Sequence, residues 1–272
     1  MATRIIASVI LAPLFFIVLF FLPPIWLTVV VAGIVALASY ELLNATKVPK
    51  QPALMIGTAV AAAVIPFSYW LGMSGVLVKA VAIILMCIVF FVAIHRYDSD
   101  QEIRVEQVLS CFFGGVMIPV MLSSLVQLKL MDNGRFLVLL PVICAFLTDT
   151  GAYFAGVFLG KHRGITKVSP NKSLEGYIGG ILSGGIFLLI YGVILQHFAH
   201  LTVSLPILAV YGLIGSAVTE LGDLSFSLIK RQFGVKDYGH LIPGHGGMLD
   251  RFDSMTFAAP VLLFLVQIIP AF

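Results

Sequence analysis

The sequence predicts an all-α protein that crosses a membrane many times. Of its 272 residues, 60% are hydrophobic and 11% are charged, and the mean hydropathy is +1.08. A soluble domain carries about 25% charged residues, because its surface must face water. The apolar residues form continuous runs and do not alternate with polar ones, which excludes a transmembrane β-barrel. Much of the protein surface is therefore expected to face lipid.

About nine runs are long enough to cross the hydrocarbon core as helices, which takes about 20 mostly apolar residues. Only Pro23-Pro24 separates the first two runs, so these could instead form a hairpin that does not fully cross. The first run lacks a small-residue cleavage pattern, which favours a span over a signal peptide. The predicted spans are 5–22, 25–43, 53–71, 76–94, 108–128, 136–159, 174–196, 205–224 and 255–271.

The basic residues predict the orientation of these spans. With nine spans, one side of the membrane holds thirteen of the sixteen lysines and arginines. The other side holds Lys129 and Arg135, and Lys79 lies in or near the fourth span. Because cytoplasmic loops are enriched in basic residues, the N-terminus is predicted to be cytoplasmic and the C-terminus external.

The chain is predicted to consist of two regions. Residues 1–135 form an N-terminal transmembrane scaffold with spans one to five. Residues 136–272 form a catalytic region with spans six to nine and two cytoplasmic loops, 160–173 and 225–253. A carboxylate near the bilayer centre costs at least about 2.5–3.5 kcal/mol, so it usually has a partner and a function. Asp149 lies near the middle of span six and is therefore a candidate functional residue.

Acidic, basic and glycine residues collect around the loop 225–253. Helical spacing places Asp223 and Lys230 on roughly one side of their helix, and Asp250 and Asp253 lie one turn apart. Mg²⁺ is usually bound by one or two carboxylates together with substrate phosphates. Basic side chains neutralise phosphate oxygens, and glycines let backbone N–H groups approach an anion. Together these parts predict metal-assisted phosphoryl or nucleotidyl transfer.

Each part also has a simpler interpretation. The glycines of 244–247 could form only a tight turn. Lys230 and Arg231 could anchor a helix end at lipid headgroups, and the basic loop 160–173 could bind anionic lipids without specificity. Ser173 could cap the helix that follows it. The glycines that recur every four residues from 156 to 184 indicate close helix packing.

Three stretches resemble the phosphatidate cytidylyltransferases, also called CDP-diacylglycerol synthases. The longest runs from Ser227 to Asp253 and includes Lys230-Arg231, Lys236-Asp237 and 243–253 (PGHGGMLDRFD). The others are 149–160 and 169–176. The resemblance implies that CTP and phosphatidate are converted to CDP-diacylglycerol and pyrophosphate, in phospholipid biosynthesis. It also implies Mg²⁺, with a second, potassium-like cation as a further candidate, and a homodimer.

These arguments assign roles to individual residues. Catalytic roles are predicted for Asp223, Asp250, Lys230 and Lys236. Substrate binding is predicted for Asp149, Lys172, Ser173, Arg231, His245, Gly246, Gly247 and Arg251. Asp223 and Asp250 are the predicted metal ligands, with Asp149 and Asp253 as further candidates. The expected location is the inner or plasma membrane, in contact with membrane lipid, with the active site facing the cytoplasm and no nucleic-acid partner.

Two other functions are compatible with some of these features. Acids within spans also mark the ion pathways of transporters, although the two halves show no inverted repeat. A CTP-dependent lipid kinase would use the same Mg²⁺, basic side chains and lipid acceptor.

Overall fold

The computed structural model describes residues 13–48, 51–239 and 246–272. Within these ranges the chain forms helices and loops and contains no β-strand. Eight helices are long and apolar enough to cross a membrane, which confirms the all-helical, multi-span prediction. The first predicted span, 5–22, lies partly outside the described residues. The part of it that is described includes a helical stretch, 13–20. The count of nine therefore stays a prediction.

The helices are numbered here from the first one with described ends. Val105–Leu130 and Gly134–Phe158 each count as one candidate span, although both are built from shorter helices. The elements are α1 (Pro24–Ala45), α2 (Pro52–Trp70), α3 (Ser74–His95), α4 (Val105–Phe112), a π-helical turn (Phe113–Met117), α5 (Ile118–Leu122), α6 (Ser124–Leu130), α7 (Gly134–Leu137), α8 (Leu139–Phe158), α9 (Leu174–Phe198), α10 (Leu205–Gln232) and α11 (Leu249–Ile268).

The last two helices extend beyond the predicted spans. α10 continues to Gln232, past the predicted end at 224, and α11 begins at Leu249, before the predicted start at 255. Hydropathy locates only the apolar part of a helix, and both extensions carry charged residues. The predicted spans thus cover the apolar parts of these helices, and the helical spacing assumed for Asp223 to Lys230 and for Asp250 to Asp253 is confirmed.

The described residues divide into two compact units, each discontinuous in sequence. The N-terminal unit holds the chain up to Arg135 together with Lys230–Phe252. The C-terminal unit holds Phe136–Ile229 together with Asp253–Phe272. These units are defined by packing, so the predicted division into a scaffold and a catalytic region stays a prediction.

An apolar core fills the N-terminal unit. Leu43 of α1, Leu54 of α2, Leu85 of α3 and Cys111 of α4 are all fully or almost fully buried in it. The π-helical turn passes close to this core, since a Cβ on Gly115 would lie 2.6 Å from a methyl carbon of Leu85. Gly115 thus lets the candidate span Val105–Leu130, which is built from several short helices, approach its neighbours.

Small residues bring α8 and α9 together in the C-terminal unit. A Cβ on Gly180 would lie 3.0 Å from the Cβ of Ala152, and one on Gly184 would lie 2.9 Å from Oγ1 of Thr148. Thr148 also donates a hydrogen bond to Ser216 of α10, at 2.7 Å. The close packing predicted from the glycine spacing is confirmed.

Candidate active site

A lysine held between two carboxylates forms the first polar cluster, which lies in the C-terminal unit. The Nζ atom of Lys172 is 2.7 Å from Oε2 of Glu220 and 2.5 Å from Oδ2 of Asp223. The side chain of Glu220 is 5% exposed, whereas those of Asp223 and Lys172 are 24% and 27% exposed. The three residues, called the Lys172 cluster below, therefore combine a buried anion with two groups that solvent or a ligand can reach.

The two carboxylates decide the charge state of Lys172. Burial alone would lower the pKa of this lysine, but Asp223 and Glu220 outweigh it and raise the pKa above its ordinary value. One oxygen of Glu220, Oε1, is buried with no hydrogen-bond partner among the described residues. It lies against Gly180, where a Cβ would come within 2.8 Å of it. The cluster thus holds a protonated lysine between two carboxyl groups.

Local sequence explains how the three residues meet. Glu220 and Asp223 are three positions apart on α10, a spacing that places them on neighbouring parts of one helix face. Lys172 directly precedes Ser173, the N-cap of α9. Ser173 is buried, and its hydroxyl accepts a hydrogen bond from the N–H of Gly176 at 3.1 Å. The predicted cap is confirmed, and it fixes the start of α9 beside Lys172.

Two further acids belong to the surroundings of this cluster. Asp149 lies on α8 with its side chain exposed, and it interacts electrostatically with Asp223, Asp253 and Lys172. Asp253 is buried, and its Oδ1 accepts a hydrogen bond from the N–H of Ser254 at 2.7 Å. The structure therefore brings four predicted site residues of this unit into one electrostatic neighbourhood.

Asp250 organises the second polar cluster, which lies in the N-terminal unit. Its Oδ1 is 2.8 Å from Nζ of Lys230, and both side chains are buried. Its Oδ2 accepts hydrogen bonds from the N–H groups of Tyr238, at 2.9 Å, and Gly247, at 3.0 Å. The ammonium of Lys230 also lies 5.4 Å from the centre of the Tyr238 ring. These four residues, the Asp250 cluster, form a tightly bonded carboxylate site.

Glu41 contributes to this second site and was not predicted. Its carboxylate accepts hydrogen bonds from the N–H groups of Met248, at 3.0 Å, and Leu249, at 2.8 Å. The residue is 6% exposed although it lies in α1, which was read only as scaffold. An acid inside an apolar run was the available signal, and the same signal singled out Asp149.

The remaining predicted residues lie on the surface or outside the described ranges. Gly246 adopts a positive φ of 79°, which glycine tolerates best, so it supports the turn before α11. His245 lies outside the described residues. Exposed side chains that could reach a phosphate belong to Arg231, Lys236 and Arg251.

The fold and these clusters together define a class of protein. It is a multi-span helical protein with two polar sites, each built from carboxylates and a lysine. A family model described as the cytidylyltransferase family matches residues 2–269. The chain belongs to the cytidylyltransferase family, which confirms the resemblance seen in the sequence.

Individual relatives carry a more specific name. A phosphatidate cytidylyltransferase from Staphylococcus saprophyticus is 42% identical over 138 residues, which cover 50% of this chain and 52% of the relative. Another, from Staphylococcus aureus, is 43% identical over 137 residues, which cover 50% of this chain and 51% of the relative. The matches thus span about half the length of these relatives.

Proposed function

We propose that this protein is a phosphatidate cytidylyltransferase, which transfers CMP from CTP to phosphatidate and releases pyrophosphate. The observation that carries the proposal is the family match over 2–269, within which both lysine–carboxylate clusters lie. The names of the staphylococcal relatives supply the substrates. A lysine or arginine bonded to a phosphate forms a strong, charge-assisted contact, and each cluster contains a lysine already held in place.

The reaction we propose is an in-line displacement at phosphorus. A phosphate oxygen of phosphatidate forms a bond to the α-phosphorus of CTP while the bond from that phosphorus to the β-phosphate oxygen breaks. The phosphate of phosphatidate is a phosphomonoester, whose second pKa is about 6. The attacking oxygen is therefore largely ionised at neutral pH. No strong general base is then needed, and positioning and charge neutralisation should dominate.

We propose Asp223 and Asp250 as ligands of Mg²⁺. Asp223 fits this role as it stands, whereas the oxygens of Asp250 accept hydrogen bonds from Lys230, Tyr238 and Gly247, so Asp250 would have to exchange one of these contacts for the metal. Mg²⁺ usually takes one or two carboxylates and completes its coordination with water and phosphates. Asp223 is partly exposed and lies beside Glu220, whose buried Oε1 lacks a partner in the described chain. The described residues contain no group of three or more His, Cys, Asp or Glu placed to hold a metal ion. When bound, Mg²⁺ would neutralise charge on the phosphates; Asp149 and Asp253 remain further candidate ligands.

Roles for the protein side chains complete the proposal. Lys172, Lys230 and Lys236 would hold the phosphates of CTP and phosphatidate and stabilise the charge that builds up as pyrophosphate leaves. The other residues proposed to bind substrate are Asp149, Ser173, Arg231, His245, Gly246, Gly247 and Arg251. A potassium-like cation and a homodimer, both implied by the family resemblance, are part of the same proposal.

Labelled CTP tests the proposed reaction against a CTP-dependent lipid kinase. A cytidylyltransferase leaves the α-phosphate in the lipid product, whereas a kinase would transfer the γ-phosphate. We expect label from the α-position in the chloroform-soluble product and label from the γ-position only in pyrophosphate. Diacylglycerol lacks the attacking phosphate and should be inert. Lipid labelled from the γ-position would refute the proposal and favour the kinase.

We also propose that the N-terminus and the active site face the cytoplasm, as the basic residues predict. Ser99 lies between α3 and α4, and His200 lies between α9 and α10. In a Cys87→Ser background, Ser99→Cys should react with a membrane-impermeant thiol reagent only from the cytoplasmic side. His200→Cys should react only from the outside. Labelling of both from one side would contradict the proposed topology.

A further inference from the structure

Glu41 occupies a place where its own helix does not favour a carboxylate. It lies near the carboxyl end of α1, where the helix dipole is unfavourable to an anion. It is also buried inside a candidate membrane span, where a charged side chain is costly. A glutamate in such a position is expected to have a partner elsewhere in the chain.

That partner is the start of α11, far away in sequence. The first N–H groups of a helix have no acceptor within the helix, and a negative charge there is favourable. The carboxylate of Glu41 accepts hydrogen bonds from the N–H groups of Met248 and Leu249. The carboxylate of Glu41 in α1 therefore caps the start of α11.

Two glycines allow Glu41 to approach the backbone this closely. A Cβ on Gly239 would lie 2.4 Å from Oε1 of Glu41, and a Cβ on Gly247 would lie 2.4 Å from Oε2. Real Cβ atoms do not come this close to an oxygen. The carboxylate is thus enclosed by backbone on both flanks of the segment that leads into α11.

The same backbone carries the contact to Asp250. Gly247 donates its N–H to Asp250, and the next two residues, Met248 and Leu249, donate theirs to Glu41. Three consecutive N–H groups are therefore fixed by two carboxylates, and Asp250 lies one residue further along α11. Any shift of residues 247–249 would move the Asp250 carboxylate.

We infer that Glu41 is a positioning residue that holds the backbone of 247–249, and with it Asp250, in the geometry needed for phosphate chemistry. The inference rests on the proposed function, since it assigns Glu41 a task in that reaction. Residues that orient a functional carboxylate typically change activity by about 10–100-fold when they are altered.

The first test compares Glu41→Gln with the wild type in full-length protein. The glutamine has nearly the same shape, but its NH₂ group would face a backbone N–H that needs an acceptor. Turnover is measured well below the unfolding temperature. We expect kcat per folded protein to fall by about 10–100-fold, while KM for CTP changes little. Glu41→Asp should recover part of kcat. Ser39→Ala is the matched control, because Ser39 is buried on the same helix and its hydroxyl has no hydrogen-bond partner in the described chain.

The second test asks whether the glycine contact is real. Gly239→Ala should lower the unfolding temperature and kcat in the wild type, because the new Cβ collides with Glu41. In a Glu41→Ala background the same substitution should cost little, since the colliding atoms are gone. Independent effects in this cycle, or full kcat in Glu41→Gln, would overturn the inference. A wild type without turnover would instead refute the proposed function, and the positioning role with it.

Discussion

Asp250→Asn is expected to abolish turnover, with a fall in kcat of about 100-fold or more. The substitution removes the charge proposed to hold the metal. It also removes the partner of Lys230, whose side chain is only 10% exposed. Breaking a buried ion pair by removing one member typically costs about 3–5 kcal/mol, because the other charge stays buried. Pyrophosphate release and thermal unfolding in detergent would measure the two effects separately.

A second substitution separates lost chemistry from lost stability. Replacing a buried ion pair by apolar groups of similar volume is often neutral, so Lys230→Met should restore part of the stability lost in Asp250→Asn. The double variant should nevertheless remain inactive. Asp100→Asn is the control, because it removes an exposed carboxylate of the same unit. A double variant with wild-type turnover would remove Asp250 and Lys230 from the mechanism.

The membrane-spanning fold could be predicted because length and hydropathy almost determine it. A helix is the structure by which a continuous apolar run satisfies its backbone in lipid, so the runs predicted α1, α2 and α3 within a few residues. The same reasoning locates only the apolar parts of α10 and α11. Beyond these parts the helices continue with charged residues, and Lys230 and Asp250, one in each extension, pair with each other.

The pairing of charges could not be read from the sequence. Helical spacing placed Asp223 and Lys230 on one side of α10, yet the described ion pairs join Asp223 to Lys172 and Lys230 to Asp250. Each partner comes from a different segment, and local spacing carries no information on such contacts. Glu41 is the extreme case, since the backbone groups it caps lie 207 and 208 positions away.

Lys172→Met, in the polar cluster of the C-terminal unit, should also lower turnover by about 100-fold. The substitution leaves Glu220 and Asp223 side by side without their shared cation. Because their charge raises the pKa of Lys172, the lysine stays protonated throughout any ordinary assay. Its stabilising effect is present below the unfolded pKa of about 10.4 and is lost only when the pH rises through the still higher folded pKa. Changing the pH within the assay range therefore cannot reproduce the substitution.

Glu220→Gln distinguishes two roles of Lys172. If the lysine only neutralises the buried Glu220, then removing both charges together should restore turnover as well as stability. If it also holds a phosphate, as proposed, then Lys172→Met with Glu220→Gln should regain stability but stay about 100-fold less active. We expect the second result, because Lys172 is the more exposed partner in its pair with Glu220. Lys47→Met removes an exposed lysine outside both clusters and should leave turnover unchanged. Full activity in the double variant would reduce Lys172 to a counter-ion.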